Sequence, residues 1–309
     1  MKKWFLFFIF FAASVFADRG MIPITRPDVS IYEPGQKAII GWNGETEIMI
    51  LAVDAYADTE CKVLEILPLP TEPAIDSGSF KSFEDVQKLI MEHAPRMMPA
   101  YKGRAETLQP PGVELLFHKK IGPHNITCVK ALDYNEFVDW ALDFIKKQGI
   151  DTIPFPDELS HIMWEYMRNN IHYFVFDVVE LSKETKSIVP LVYKFQSPYL
   201  YFPLNISRLA KGVTNIQLFL LTRYIPWAPS LEPFRIGKYT MYGTRRGMTR
   251  SELPDIIFEV DRTELKTIHP LFPKLLRGTV YLTALEFEGP VEELTVDLRL
   301  RKFCTLIEY

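Results

Sequence analysis

Apolar positions change their period several times along this 309-residue chain, and each change marks an element. Ala38 to Trp42 and Ile48 to Val53 are apolar runs separated by Asn43-Gly44, a pair that suits the positive φ angles of a two-residue type I′ hairpin. In the second run Ile48, Ile50 and Ala52 alternate with Met49, Leu51 and Val53, so both faces are apolar. That predicts a central strand covered on two sides. Val63 to Leu67 predicts a third strand; Pro68, Pro70 and Pro73 follow, and because proline cannot donate to a ladder the chain is expected to leave the sheet there.

Helical spacing takes over at 82–93, with Ser82 as N-cap and Val86, Leu89 and Ile90 on one face. Residues 94–112 hold four prolines and read as a loop, after which Val113 to His118 and Ile126 to Ala131 flank a Gly122-Pro123 turn. Asp133 with Glu136 forms a capping-box pattern ahead of Phe137, Trp140, Ala141, Phe144 and Ile145, and Gly149 ends that helix. A second amphipathic helix follows from about Asp157 to Asn169, burying Leu159, Ile162, Met163, Tyr166 and Met167. Strand patterns then dominate: Ile171 to Leu181, Ile188 to Phe195, Tyr199 to Phe202, Ile216 to Tyr224, Val280 to Phe287 and Leu294 to Arg301. In the last of these Leu294, Val296, Leu298 and Leu300 alternate with Thr295, Asp297, Arg299 and Arg301, predicting one buried and one wet face.

Together these elements predict an α+β protein with a mainly antiparallel, sandwich-like sheet and about three amphipathic helices, two of them consecutive in mid-chain. Residues 18–225 are expected to form the main domain. Residues 226–309 are expected to add a β-rich segment packed on the same core. A hydrophobic share of 48% with 24% charged residues excludes the disordered and collagen-like classes.

The N-terminus changes the setting. Lys2 and Lys3 precede a low-polarity run from Trp4 to Val15 that leads to Ala17, the form of a secretory signal; at about 12 residues it is short of the roughly 20 that cross a bilayer. Cleavage after Ala17 is expected, leaving a secreted or extracytoplasmic chain with no further membrane-spanning run. Removal of residues 1–17 takes two of the 35 basic residues and none of the 39 acidic ones, so the mature chain has a formal charge of −6. Nucleic acid is therefore not an expected partner, since phosphate binding needs a surplus of Lys and Arg on some face. The densest basic stretch, Arg245, Arg246 and Arg250, is flanked by Glu252 and Asp255 and reads as a solvated loop. Cys61, Cys128 and Cys304 sit in apolar, strand-like settings and form no C-x-x-C. At most one internal bridge can form, and spacing does not choose among three pairings.

With these elements placed, the chain resembles the exported prokaryotic family catalogued as domain of unknown function 2330. The resemblance is carried by Pro34-Gly35-Gln36-Lys37 leading to Trp42-Asn43-Gly44, by Ile66-Leu67-Pro68-Leu69-Pro70-Thr71-Glu72-Pro73, and by Ile121-Gly122-Pro123-His124-Asn125-Ile126-Thr127. It continues through Phe137 and Trp140 into Tyr173-Phe174-Val175, covering roughly Met21 to Tyr224. The resemblance implies export and a shared fold, and no activity. Many bacterial members begin the mature chain with a paired-cysteine, glycine-rich segment; here Asp18-Arg19-Gly20-Met21-Ile22-Pro23 stands in that place, so no role for such a pair carries over.

No catalytic motif names a reaction. His161 and Glu165 lie one helical turn apart, but H-E-x-x-H is absent and an i, i+4 pair on a polar face is ordinarily a solvated contact. His118 and His124 straddle the Gly122-Pro123 turn. Asp54, Asp58 and Glu60 could offer oxygens to calcium, yet lack the glycine and distal glutamate of an EF-hand loop. No cofactor is expected and no G-x-S-x-G occurs. Tyr193, Phe195, Tyr199, Tyr201 and Phe202 form the densest aromatic stretch, readable either as core or as a surface that stacks sugars or grips a protein. The residues thus point to a binding module for an envelope protein or glycan. An envelope hydrolase assembled from distant residues and a structural cell-surface subunit are the alternatives.

Overall fold

A strand run with two apolar faces needs a cover on each side, and the computed structural model shows both covers over residues 48–53. The structure describes residues 22–23, 31–57, 61–95, 119–149, 156–181, 186–209, 212–239 and 253–301. Its strands are β1 (Ile22–Pro23), β2 (Ile31–Trp42), β3 (Thr46–Ala57), β4 (Cys61–Leu69), β5 (Ala74–Ser77), β6 (Lys119–Ile121), β7 (His124–Lys130) and β8 (Tyr173–Leu181). They continue with β9 (Lys186–Ser187), β10 (Leu191–Gln196), β11 (Leu200–Phe202), β12 (Val213–Thr222), β13 (Arg235–Ile236), β14 (Ile257–Val260), β15 (Val280–Pro290) and β16 (Leu298–Leu300). The helices are α1 (Lys81–Glu92), α2 (Tyr134–Lys147), α3 (Pro156–Arg168), α4 (Arg262–Ile268) and α5 (Phe272–Leu275).

Two large sheets stack. One has the order β1-β4-β8-β7-β6; the other runs β13-β15-β12-β2-β3-β10-β5, with β14 added on β15 and β9 on β3. A separate pair joins β11 to β16. Among the described residues pairing is antiparallel except between β12 and β2, which run parallel from Ile216 opposite Gln36 to Leu221 opposite Gly41. Phe174 and Phe176 of β8 face outward to α2 and α3, where the Phe137 ring lies 4.4 Å from Phe174 and 6.3 Å from Phe176. On the far side of the larger sheet, Ile39, Ile48, Ile50, Phe219 and Leu282 pack against α1, α4 and α5. The layers are therefore helices, sheet, sheet and helices. Strands β13 to β15 extend the larger sheet, and Val260, Leu265, Phe272, Val280 and Leu282 lie in the core on its far side.

The α+β class and mostly antiparallel pairing agree with the sequence reading, and the helix count does not: five α-helices stand among the described residues where about three are expected. The extra two, α4 and α5, are short. Helix α1 begins from Phe80 with no side-chain cap, and Ser82 lies buried inside it rather than at its start. Strand β4 continues through Pro68, which pairs with Phe174, and ends at Leu69. Pro68 is tolerated because, among the described residues, β1 pairs with β4 only at Val63 and Leu64 and makes no ladder contact with Pro68 on that edge. The first hairpin also differs. Trp42 pairs with Glu47 and β3 starts at Thr46, so 43–45 form the loop; Gly44 takes φ 105°, and Asn43 instead accepts the Glu45 and Thr46 N–H groups on its side-chain oxygen.

The last strand departs most from its pattern. Val296 is 69% exposed and Asp297 only 8%, because regular pairing starts at Leu298, after a short 3₁₀ turn at 291–293. Asp297 is drawn inward by donors. Its Oδ1 accepts from Tyr166 Oη (2.9 Å), Leu204 N (3.0 Å) and Asn205 N (3.1 Å), and its Oδ2 from Tyr201 Oη (3.0 Å) and the Arg299 guanidinium (3.4 Å).

Candidate functional site

Where β12 ends at Thr222 the chain cannot continue as strand, since Pro226 lacks the N–H a ladder needs, and residues 223–226 turn outward to form a wall. Facing that wall are Trp42, the last residue of β2, and Leu200 and Leu300, which are cross-strand partners in the β11–β16 pair. Together with Tyr224, Ile225 and Pro226 they form a small recess of about 40 Å³, open at its mouth. Two arginines, Arg223 and Arg301, also line it. Tyr224 is 40% exposed at the cleft and Trp227, three residues on, is 45% exposed.

The polar atoms of the lining are mostly engaged inside the protein. Trp42 Nε1 donates to the Ser197 carbonyl at 3.0 Å, Asn43 N to the Thr46 carbonyl at 3.2 Å, and Thr222 Oγ1 to the Tyr224 carbonyl at 2.6 Å. The arginines differ: among the described residues neither has a carboxylate within ion-pair reach. Behind Trp42, its register partner Glu47 is fully buried and accepts the Tyr201 N–H at 2.7 Å. Burial pushes the Glu47 carboxyl well above its ordinary 4.5, against the smaller opposing pull of that hydrogen bond. Its Oε1 has no partner among the described residues.

A second polar set lies between the sheets. His124 Nδ1 is 2.5 Å from Asp177 Oδ2, His124 Nε2 is 2.8 Å from the Val189 carbonyl, and Asn125 N donates to Asp177 Oδ1 at 3.1 Å. Glu65 stands directly across from Asp177 in the β4–β8 register. Burial works to lower the imidazole pKa, but the hydrogen bond and charge of Asp177, the charge of Glu65 and the Val189 carbonyl outweigh it, and the net direction is upward from 6.5. A histidine oriented by an aspartate resembles half of a hydrolytic triad. Here the nitrogen that would accept a nucleophile's proton is committed to a backbone carbonyl, and the ring is only 4% exposed. The arrangement can tie β7 to the segment before β10; as it stands it cannot serve as a general base.

The aromatic stretch is distributed by burial. Tyr193, Phe195, Tyr201 and Phe202 lie in the core and present no aromatic face to solvent. Tyr199 is partly exposed, its ring 6.0 Å from Tyr201 and under the Arg299 guanidinium at 5.4 Å. His161 and Glu165 meet at 3.4 Å on the exposed face of α3, where Glu165 also receives Asn205 and Arg208. No group of three or more His, Cys, Asp or Glu among the described residues is placed to hold a metal ion. Cys128 is a free thiol, and burial with the Glu72 charge pushes its pKa up to about 11. Residues 1–17, Asp58, Glu60, His118, the arginines at 245, 246 and 250, and Cys304 lie outside the described residues, as do the side chains of Asp54 and Cys61. Sequence reasoning missed the cleft, because its walls come from four distant segments. The one local signal was Arg223 directly after an apolar strand.

A family model described as an uncharacterized protein conserved in bacteria (DUF2330) matches residues 20–288. The chain belongs to that family. Among solved structures it is similar to baculovirus P35, at 7% identity and a TM-score of 0.46 over 89% of this chain and 98% of that one. It is also similar to a chain of the caspase-8/P35 complex, at 7% identity and a TM-score of 0.38 over 74% of each chain. A mutated baculovirus P35 after caspase cleavage aligns at 6% identity and a TM-score of 0.39, over 86% and 97% of the two chains. At these scores nothing about activity follows. No curated protein matches the chain. Among the described residues, no helix of this DUF2330 member is long and apolar enough to cross a membrane.

Proposed function

We propose that this protein is exported through its N-terminal leader and acts outside the cytoplasm as a binding protein, holding the apolar part of an envelope component in the Trp42–Leu200–Leu300 cleft. The observation that carries the reading is the recess itself: a small apolar hollow with an open mouth, in which Trp42 and Thr222 spend their polar atoms within the protein and two arginines stand at the rim. Such walls favour a greasy group over a glycan, whose hydroxyls need open donors and acceptors. The sealed His124–Asp177 pair supports binding over hydrolysis, because its ring nitrogens are both taken.

The test is to purify the protein from envelope fractions of its own cells, read its N-terminus, and extract what it carries for mass spectrometry. The expected result is a chain beginning at Asp18 with an apolar small molecule bound in stoichiometric amount. A cytoplasmic chain retaining Met1 overturns the export reading, and turnover in an esterase and amidase screen overturns the binding one.

A further inference from the structure

On the face of the larger sheet away from Trp42, the rows of side chains facing the helices step down in size. Leu221 stands opposite Leu282 and Gln217 opposite Glu286, but between them Phe219 is opposite Ala284, and Gly237 lies beyond with its N–H on the Ala284 carbonyl. A Cβ on Gly237 would come to 3.5 Å from that of Ala284, so two small residues stand side by side where larger ones occupy the neighbouring rows. Helix α1 spans this gap with Ile90, Met91 and Ala94 and leaves a cavity of about 300 Å³ between helix and sheet. A cavity of roughly 150 Å³ already takes up benzene.

We propose that this cavity is a second binding site, separate from the Trp42 recess, for a neutral, ring-sized molecule that bears an amide. The charges in its lining are spent. Lys238 is ion-paired with Asp255 and Glu286 is engaged within the protein, so a charged guest would give up its hydration without gaining a counter-charge. Neutral polar groups remain. Gln87 and Gln217 bring side-chain amides that have no partner among the described residues, and a glutamine amide both donates and accepts. Tyr239, only 8% exposed, also lines the cavity, and its hydroxyl is without a partner among the described residues. An amide on the guest supplies a carbonyl and N–H groups to such neighbours, while Ile90, Phe219 and Ile256 cover its ring. A plain hydrocarbon satisfies only the apolar half of this lining.

The experiment titrates benzamide, toluene, benzoate and benzylammonium, four guests of one ring size, into the purified protein by ligand-observed NMR. The wild type is compared with Gln87→Leu, Gln217→Leu and Ala284→Met. The expected result is benzamide binding about tenfold or more tighter than each of the other three. Each glutamine variant brings benzamide toward the level of toluene and leaves toluene unchanged, while Ala284→Met fills the floor and abolishes both. Gln87 is exposed and Gln217 half-buried, so these two variants read the site even where Ala284→Met fails to fold. Benzoate or benzylammonium binding as tightly as benzamide overturns the neutral guest, and toluene binding as tightly overturns the amide. Benzamide binding that is undiminished in both glutamine variants, or no binding of any guest, overturns the site.

Discussion

His124 and Asp177 form an ion pair sealed between two sheets, with the imidazole held at 2.5 Å by the carboxylate and its far nitrogen bonded to Val189 at 2.8 Å. A carbonyl only accepts, so Nε2 carries its hydrogen, and the aspartate favours a second proton on Nδ1. The imidazole ring thereby links β7 of the smaller sheet to the segment that leads into β10 of the larger one.

The pair makes stability depend on pH in a stated direction. Because the folded-state pKa of His124 is raised, its contribution is fully present below the ordinary 6.5 and lost as pH rises through the folded value. Urea unfolding between about pH 5.5 and 9 is expected to show stability falling over the upper part of that window. His124→Gln is expected to cost about 3–5 kcal/mol at low pH, as for a broken buried pair, and to flatten the slope. A wild-type profile that rises with pH contradicts this account.

Asp297 and Val296 offer a paired test of the C-terminal register. Asp297→Ala leaves two tyrosine hydroxyls and two backbone N–H groups without their acceptor, and is expected to cost at least about 3 kcal/mol. Val296→Ser, on an exposed side chain, is expected to stay within about 0.5 kcal/mol. The reverse ranking in thermal or urea unfolding would show the simple alternating strand instead.

Gly41 is required for space rather than for backbone freedom. A Cβ there would meet two Phe272 ring carbons at 2.7 Å, and Phe272 of α5 is fully buried. Gly41→Ala is expected to cost about 1–3 kcal/mol by overpacking. Phe272→Leu in the same chain should recover part of that loss; additive losses in the double variant would place the strain elsewhere.

The Cys128 thiol, pushed up to about 11, is expected to resist alkylation in the folded protein at pH 8 and to react promptly in urea. Peptide mapping after timed iodoacetamide treatment reads this site apart from the other two cysteines. Rapid modification of Cys128 without denaturant contradicts the buried setting.

Elements governed by near neighbours were legible in the sequence. The side chain of Asp133 accepts the Glu136 N–H at 3.0 Å and starts α2 as its pattern requires, and Gly149 closes that turn with φ 101°. Helix α4 carries a local signal of the same kind: Asp261 and Glu264 form a complete capping box ahead of Leu265 and Ile268. Of the binding surface, little could be read. Tyr193, Phe195, Tyr201 and Phe202 are as apolar in the core as they would be at an interface, and periodicity alone does not say which face is covered.

Local spacing determined the α+β class, the two-faced strand at 48–53 and the mid-chain helix pair, because hydrogen bonding and side-chain alternation act over a few residues. Tertiary structure alone decided the parallel pairing of β12 with β2, the burial of Asp297 and Glu47, and the meeting of Trp42, Leu200, Arg223 and Leu300 around one cleft. Each depends on partners supplied from far along the chain, and a charged or aromatic side chain takes its meaning from those partners.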